Sequence, residues 1–314
     1  MPGRFSGLMN ALYDPKKRQF LGRDGAGWTK LGVFYFFFYL GLAGFFCAML
    51  AVFMAVSPRD HPRYYDKSSR MATRSNPLTP GLGFRPQPDP DKNLIFIDKT
   101  APSNEPNPNA KSLDQYLQIF YWKQNTAEEK EYYNERKSAS KKSGKFDISG
   151  TKCQNDTQYG YAVGKPCVLV KMNKIVGFEP IPGTTLDDEQ SHTPPCKTKA
   201  NAVSIHCHGE YPADEDSIGD ITYYSEDGED KQCGSLSTDW FPYEGKVNRQ
   251  DVYQAPYIWV QFLTPKPNVL INVMCRVYGQ NIHFDKKSGR ALTRFQIYVK
   301  DSSKAVPSRQ AGDI

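Results

Sequence analysis

LGVFYFFFYLGLAGFFCAMLAVFMAV fills Leu31–Val56, 26 residues without a charge. At about 1.5 Å per residue, a helix of that length exceeds the roughly 30 Å hydrocarbon core of a bilayer. The stretch therefore predicts one transmembrane helix. A secretory signal would carry an apolar core of about 7–15 residues and a small-residue cleavage site. This run is longer, and no such site stands out before Ser57 and Pro58. The helix has two unlike faces. Tyr35, Tyr39, Leu42, Phe46, Met49 and Phe53 follow one another at spacings of four and three, and Gly41, Gly44, Ala48, Ala51 and Ala55 share that rhythm on the opposite side. Small residues let another helix approach closely, while aromatic rings offer packing surface and two hydroxyls that need partners. On pattern alone, a passive lipid-facing anchor and an anchor built to dock against other helices both stand.

Outward from this run the chain is polar. It has 314 residues and a formal net charge of +6, with about 27 residues before the helix region and 258 after it. That is enough for one good-sized outer domain. Arg4, Lys16, Lys17, Arg18, Arg23 and Lys30 precede the helix, while Arg59, Arg63, Lys67, Arg70 and Arg74 follow it, so the positive-inside rule is nearly balanced. Cysteines decide the orientation. Cys47 lies in the apolar run, and Cys153, Cys167, Cys196, Cys207, Cys233 and Cys275 make an even set after it. An even set predicts disulfides, hence an oxidising exterior and a cytosolic N-terminus. Asn155-Asp156-Thr157 adds a glycosylation sequon on the same side.

The basic, Gly-containing tail shows no periodicity and is expected to be largely disordered, with Lys16-Lys17-Arg18 meeting anionic headgroups. From Ser57 to about Ala110, ten prolines rule out a long helix and predict an extended stalk. Leu113, Tyr116, Leu117, Phe120 and Tyr121 then form a helical stripe, with Ser112 and Gln115 fitting a capping box. The charged stretch Glu128–Lys145 reads as a solvated loop. Beyond residue 150, Val269, Ile271, Val273, Cys275 and Val277 alternate strictly, as one buried sheet face requires. Similar runs at 166–172, 218–224, 257–263 and 292–299, punctuated by Gly, Pro and Asp, predict an antiparallel sandwich.

Catalytic motifs do not carry this chain. Asp98-Lys99-Thr100 begins like the phosphorylated segment of ion pumps but continues Ala101-Pro102 and lacks a nucleotide domain. No Walker loop or nucleophile elbow is present. His192, Cys196, His206, Cys207, His208 and Cys233 resemble zinc ligands without a CxxC pair, and thiolate sites compete badly with disulfides outside the cell. Asp214-Glu215-Asp216 and the acidic run Glu226–Asp230 lack EF-hand spacing and read as solvated turns. A Golgi glycosyltransferase would share the anchor and stalk, yet it needs a larger domain of alternating strands and helices.

The residues resemble the β subunits of Na+/K+- and H+/K+-ATPases over nearly the whole chain. Phe34-Tyr35, Phe38-Tyr39 and Leu42-Ala43-Gly44 look like FYxxFYxxLAG, and Pro80-Gly81-Leu82 matches the stalk. Tyr159-Gly160-Tyr161 and Gly164-Lys165-Pro166-Cys167, followed by Lys171, Asn173, Gly177, Phe178 and Pro180, follow YGYxxGKPCxxxKxNxxxGFxP. Phe241-Pro242-Tyr243 with Gly245-Lys246 resembles the aromatic segment before the central strand, and Cys275 with Tyr278-Gly279-Gln280-Asn281-Ile282 fits CxxYGxNI.

That resemblance implies a single-pass type II membrane protein of the plasma membrane with one transmembrane α-helix. Its mainly-β, immunoglobulin-like sandwich ectodomain would carry one flanking α-helix. The expected division is a cytoplasmic tail at 1–27, the transmembrane helix at 28–57, a Pro-rich extracellular stalk at 58–110 and a disulfide-bonded sandwich at 111–314. The resemblance implies disulfides Cys153–Cys167 and Cys207–Cys275. Cys196 and Cys233 have no counterparts in the family pattern, and the simplest hypothesis pairs them with each other. It implies contacts to a catalytic α subunit through Phe34, Tyr35, Phe38, Tyr39, Phe46, Tyr159, Tyr161, Phe241 and Tyr243. The expected role is non-catalytic: folding, assembly and delivery of α, and modulation of K+ affinity and occlusion. Membrane lipid and a small single-span regulatory subunit are further candidate partners, and no cofactor, metal or nucleic acid is expected. An H+/K+-ATPase β subunit or a free-standing type II adhesion or receptor glycoprotein are the alternatives.

Overall fold

The structure, a computed structural model, describes residues 13–14, 18–65, 68–69, 78–99, 107–121, 131, 134–137, 139, 141–142, 146–148, 150–183, 196–245 and 253–304. The chain falls into two units divided after Arg59. The first holds strands β1 (Tyr13–Asp14) and β2 (Gln19–Phe20) and helix α1 (Gly25–Val56). Helix α1 begins six residues before the apolar run because Asp24 caps it, its carboxylate accepting from the Gly27 amide at 2.9 Å. Within the tail expected to be largely disordered, the described residues hold a short ladder, Tyr13 opposite Phe20 and Asp14 opposite Gln19, followed by a tight turn at the helix start. Lys16 and Lys17 lie outside the described residues.

The second unit is a sandwich of two five-stranded sheets. One has the order β3 (Leu82–Arg85), β5 (Cys167–Met172), β10 (Tyr257–Phe262), β7 (Ile221–Ser225), β8 (Gly228–Asp230), paired antiparallel throughout. The other runs β4 (Leu94–Asp98), β12 (Leu292–Lys300), β11 (Leu270–Tyr278), β6 (Ala202–Gly209), β9 (Gly234–Ser237). Its β4–β12 pair is parallel, which corrects the purely antiparallel expectation. Ile271, Val273, Cys275 and Val277 point into the core, as their alternation requires. Ile95 and Ile97 do so from β4, and Leu169 and Val170 of β5 are fully buried on both of its faces. Strand β10 is buried at all six positions because it is central and covered on both faces. Its outer side lies under Tyr159, whose ring stacks on Trp259 at 5.5 Å.

Two expectations change here. Strands β3 and β4 come from the Pro-rich span assigned to the stalk, so the sandwich draws on residues well before 111. Helix α2 (Pro108–Tyr121) starts earlier than the capping box at Ser112 and Gln115 implied. Asn107 precedes it, its side chain accepting from the Asn109 amide at 2.9 Å, and Pro108 opens the helix. Leu113 of α2 is fully buried, with Tyr116 and Leu117 packed against the core. The side chains of Phe120 and Tyr121, most of Glu128–Lys145 and His192 lie outside the described residues. Helix α3 (Pro212–Ile218) is a short addition packed on β6 and β11.

Candidate functional site

The aromatic face of α1 follows from its spacing. Every side chain along it is exposed, and Phe34, Tyr35, Phe38, Tyr39 and Phe46 present 45–64% of their surface. Tyr35 and Tyr39 stack one turn apart with ring centroids 6.0 Å apart, and Phe34 and Phe38 stack alongside at 6.4 Å. The result is a continuous aromatic ridge. On the opposite side a side chain added at Gly41 or Gly44 would meet nothing.

The sandwich aromatics from the sequence behave differently. Tyr161 has no exposed surface, and its hydroxyl donates to the Cys167 carbonyl at 2.8 Å. Tyr159 is 4% exposed, with its hydroxyl donated to Asp114 of α2 at 2.7 Å. Phe241 is also buried. These three were expected to contact a partner, and within this chain they lie in the sandwich core. Their rings pack into the core, and the two tyrosine hydroxyls already have partners inside the chain. Tyr243 alone of this group stays half-exposed, with Tyr253 at 5.0 Å and the Lys174 ammonium over its ring at 5.1 Å.

All six cysteines after the helix are bonded: Cys153 to Cys167, Cys196 to Cys233 and Cys207 to Cys275. Cys207 and Cys275 are register partners on neighbouring strands, so this bridge lies within one sheet and does not join the two. The groups weighed for chemistry serve the fold. His206 approaches the Gln232 carbonyl at 2.8 Å and stacks with His208 at 5.8 Å, and burial pushes both imidazoles below the usual range. Asp214 accepts from the Asn272 amide at 3.0 Å, and Glu215 accepts from the Gly209 amide. Asp98 pairs with Lys300 at 2.8 Å and Lys99 with Asp301 at 3.0 Å, fastening the ends of β4 and β12. Asn155 is exposed at the rim of a cleft of about 410 Å³ floored by Phe146, Tyr257 and Trp259, while the Thr157 hydroxyl donates to Gln154.

Comparison with known proteins bears on this arrangement. The family model for the sodium/potassium ATPase beta chain matches residues 2–297. The chain belongs to that family. Subunit beta-1 of the sodium/potassium-transporting ATPase of Tetronarce californica is 30% identical over 316 residues, covering 95% of this chain and 96% of the relative. The probable subunit beta-3 of Caenorhabditis briggsae is 29% identical, covering 92% and 86%, and subunit beta-2 of Drosophila melanogaster is 28% identical, covering 93% and 91%.

For a sodium/potassium ATPase beta chain, the motif residues divide by physical role. The aromatics of α1 remain open, whereas YGY and Phe241 build the sandwich. Sequence reasoning missed Arg136, whose buried guanidinium donates to the carbonyls of Lys142, Asp239 and Pro242 at 2.8–3.1 Å. It placed Lys171 in a family motif without a partner, and in the structure the Lys171 ammonium donates to the Tyr116 hydroxyl of α2 at 2.6 Å. Lone charges carry no periodic signal, so only the tertiary structure reveals them.

Proposed function

We propose that this chain is the non-catalytic β subunit of a sodium/potassium-transporting ATPase in the plasma membrane. In this reading α1 spans the bilayer as a type II anchor and the disulfide-bonded sandwich, glycosylated at Asn155, lies outside. The catalytic α subunit would bring ATP hydrolysis and the ion sites. This chain would assist folding, assembly and delivery of α, and modulate its K+ affinity and occlusion. The observation that carries the reading is the uncovered aromatic ridge of α1. Membership of the family supports it.

Physically, Tyr35 and Tyr39 pack along helices of α and give their hydroxyls partners there. A subunit shifts a conformational equilibrium only through contacts that differ between the two states. Influence on K+ occlusion therefore needs no catalytic residue in this chain. The test uses Tyr35→Leu/Tyr39→Leu co-expressed with its α chain. We expect α still to co-purify in mild detergent, surface expression to stay near wild type, and K+ activation of ATP hydrolysis to shift. Unchanged K+ activation would remove the role assigned to the two tyrosines, and absence of any co-purifying pump subunit would remove the subunit reading itself.

A further inference from the structure

We propose that the turn Phe20–Arg23 and Trp28 form one interfacial anchor that seats on an anionic phospholipid surface, an inference that rests on the reading of α1 as a membrane span. The turn is closed by two backbone bonds, Phe20 amide to Arg23 carbonyl at 2.9 Å and Arg23 amide to Phe20 carbonyl at 3.1 Å. It is tied to the helix by the Trp28 indole, which donates to the Phe20 carbonyl at 2.8 Å. The two rings stand 6.1 Å apart. Phe20, Leu21 and Trp28 are nevertheless 50%, 54% and 38% exposed, a cluster of three large apolar side chains on a folded turn.

Depth identifies what covers them. Trp28 precedes the uncharged run by three residues, which is about 4.5 Å along the helix axis. The indole thus falls at the boundary between headgroups and acyl chains, where tryptophan is favoured. Because Phe20 is bonded to Trp28, the turn is held near the same level. Its apolar side chains then meet the boundary region that buries the apolar faces of interfacial helices. The indole N–H is already satisfied by Phe20, so its burial leaves no orphaned donor.

Charge identifies which lipid. Arg18, Arg23 and Lys30 are exposed around the same turn, and the neighbouring carboxylate of Asp24 is engaged with the Gly27 amide. Three cations beside an apolar wedge match phosphate and carboxylate headgroups, and basic residues near a membrane surface are drawn to anionic lipid. The anchor would hold the first turn of α1 at a fixed depth and resist sliding of a helix longer than the hydrocarbon core.

The experiment places nitroxide labels on the full chain in nanodiscs of phosphatidylcholine with or without phosphatidylserine. One label sits on the native Cys47, the single free cysteine, and the other on Leu21→Cys in a Cys47→Ser background. Accessibility to oxygen and to a water-soluble nickel chelate reports depth. We expect the Cys47 label deep in the acyl region, and the Leu21→Cys label at the interface and shielded from nickel when phosphatidylserine is present. Arg18→Gln, Arg23→Gln and Lys30→Gln should each lower the ratio of seated to released turn about fivefold. A nickel-accessible Leu21→Cys label with a deep Cys47 label overturns the anchor and leaves the span intact. A Leu21→Cys label shielded from both reagents overturns it in favour of a protein neighbour, and a nickel-accessible Cys47 label overturns the span reading itself.

Discussion

The Arg136 guanidinium donates to the Pro242 carbonyl at 3.1 Å, joining segments 106 residues apart. The same guanidinium bonds the carbonyls of Lys142 and Asp239, so one side chain fixes the loop that carries Trp240, Phe241 and Tyr243. Truncation would leave several buried acceptors without a donor, at about 1–3 kcal/mol each where water cannot reach them. Arg136→Ala is expected to lower stability by about 3 kcal/mol, and Arg136→Lys should recover little because an ammonium lacks the planar fork. Urea unfolding followed by tryptophan fluorescence measures this. A loss under about 1 kcal/mol for the alanine variant would refute the clip.

The bridges should differ in worth with the loops that they close. Cys207–Cys275 spans 68 residues and Cys153–Cys167 spans 14. In the chain-entropy model these correspond to about 4 and about 3 kcal/mol. Paired Cys→Ala variants, compared by denaturant midpoint, should therefore rank with the longer loop more costly. The reverse order would show that native packing around Cys153 outweighs loop entropy.

Lys171 gives the fold a pH dependence. Burial first, then Arg85 and Lys174, lowers its pKa to about 8, while burial raises that of Tyr116 to about 12. Between about pH 8 and 10 the unfolded chain holds a lysine proton that the folded chain has released, so stability rises with pH. Above about pH 10 the folded chain keeps a tyrosine proton that the unfolded chain gives up, and stability falls. Lys171→Met should flatten the rise between pH 8 and 10 in a series of urea titrations. An unaltered slope would place the titration elsewhere.

Gly160 is fixed by backbone geometry. Gln158, Tyr159 and Gly160 all have positive φ, and a Cβ on Gly160 would lie 2.0 Å from the Lys165 carbonyl oxygen. The turn that buries Tyr159 and Tyr161 cannot shift without moving both rings. Gly160→Ala is expected to cost on the order of 3 kcal/mol, read as a lower melting temperature. Near-wild-type melting would mean that the turn relaxes freely.

Several elements were legible before any coordinates. A long uncharged run can satisfy its backbone in lipid only as a helix, so α1 was readable from composition. Strand β11 was readable because alternation separates a buried face from the other. Strand β6 carried the same signal, with Val203, Ile205 and Cys207 alternating with Ser204, His206 and His208. There the His and Cys residues were weighed and rejected as zinc ligands, and the alternation itself was not read as a strand.

What the sequence determined by itself was the apolar helix with its aromatic face, the strand-rich C-terminal half and the likeness to the family. Only the tertiary structure decided the recruitment of Leu82–Arg85 and Leu94–Asp98 into the sandwich, the burial of Tyr159, Tyr161 and Phe241, and the turn that bonds Phe20 to Trp28. The reason is physical. Periodicity and hydropathy are properties of neighbouring residues, whereas strand partners and the side of an amphipathic ring are set by the free energy of distant segments packed together.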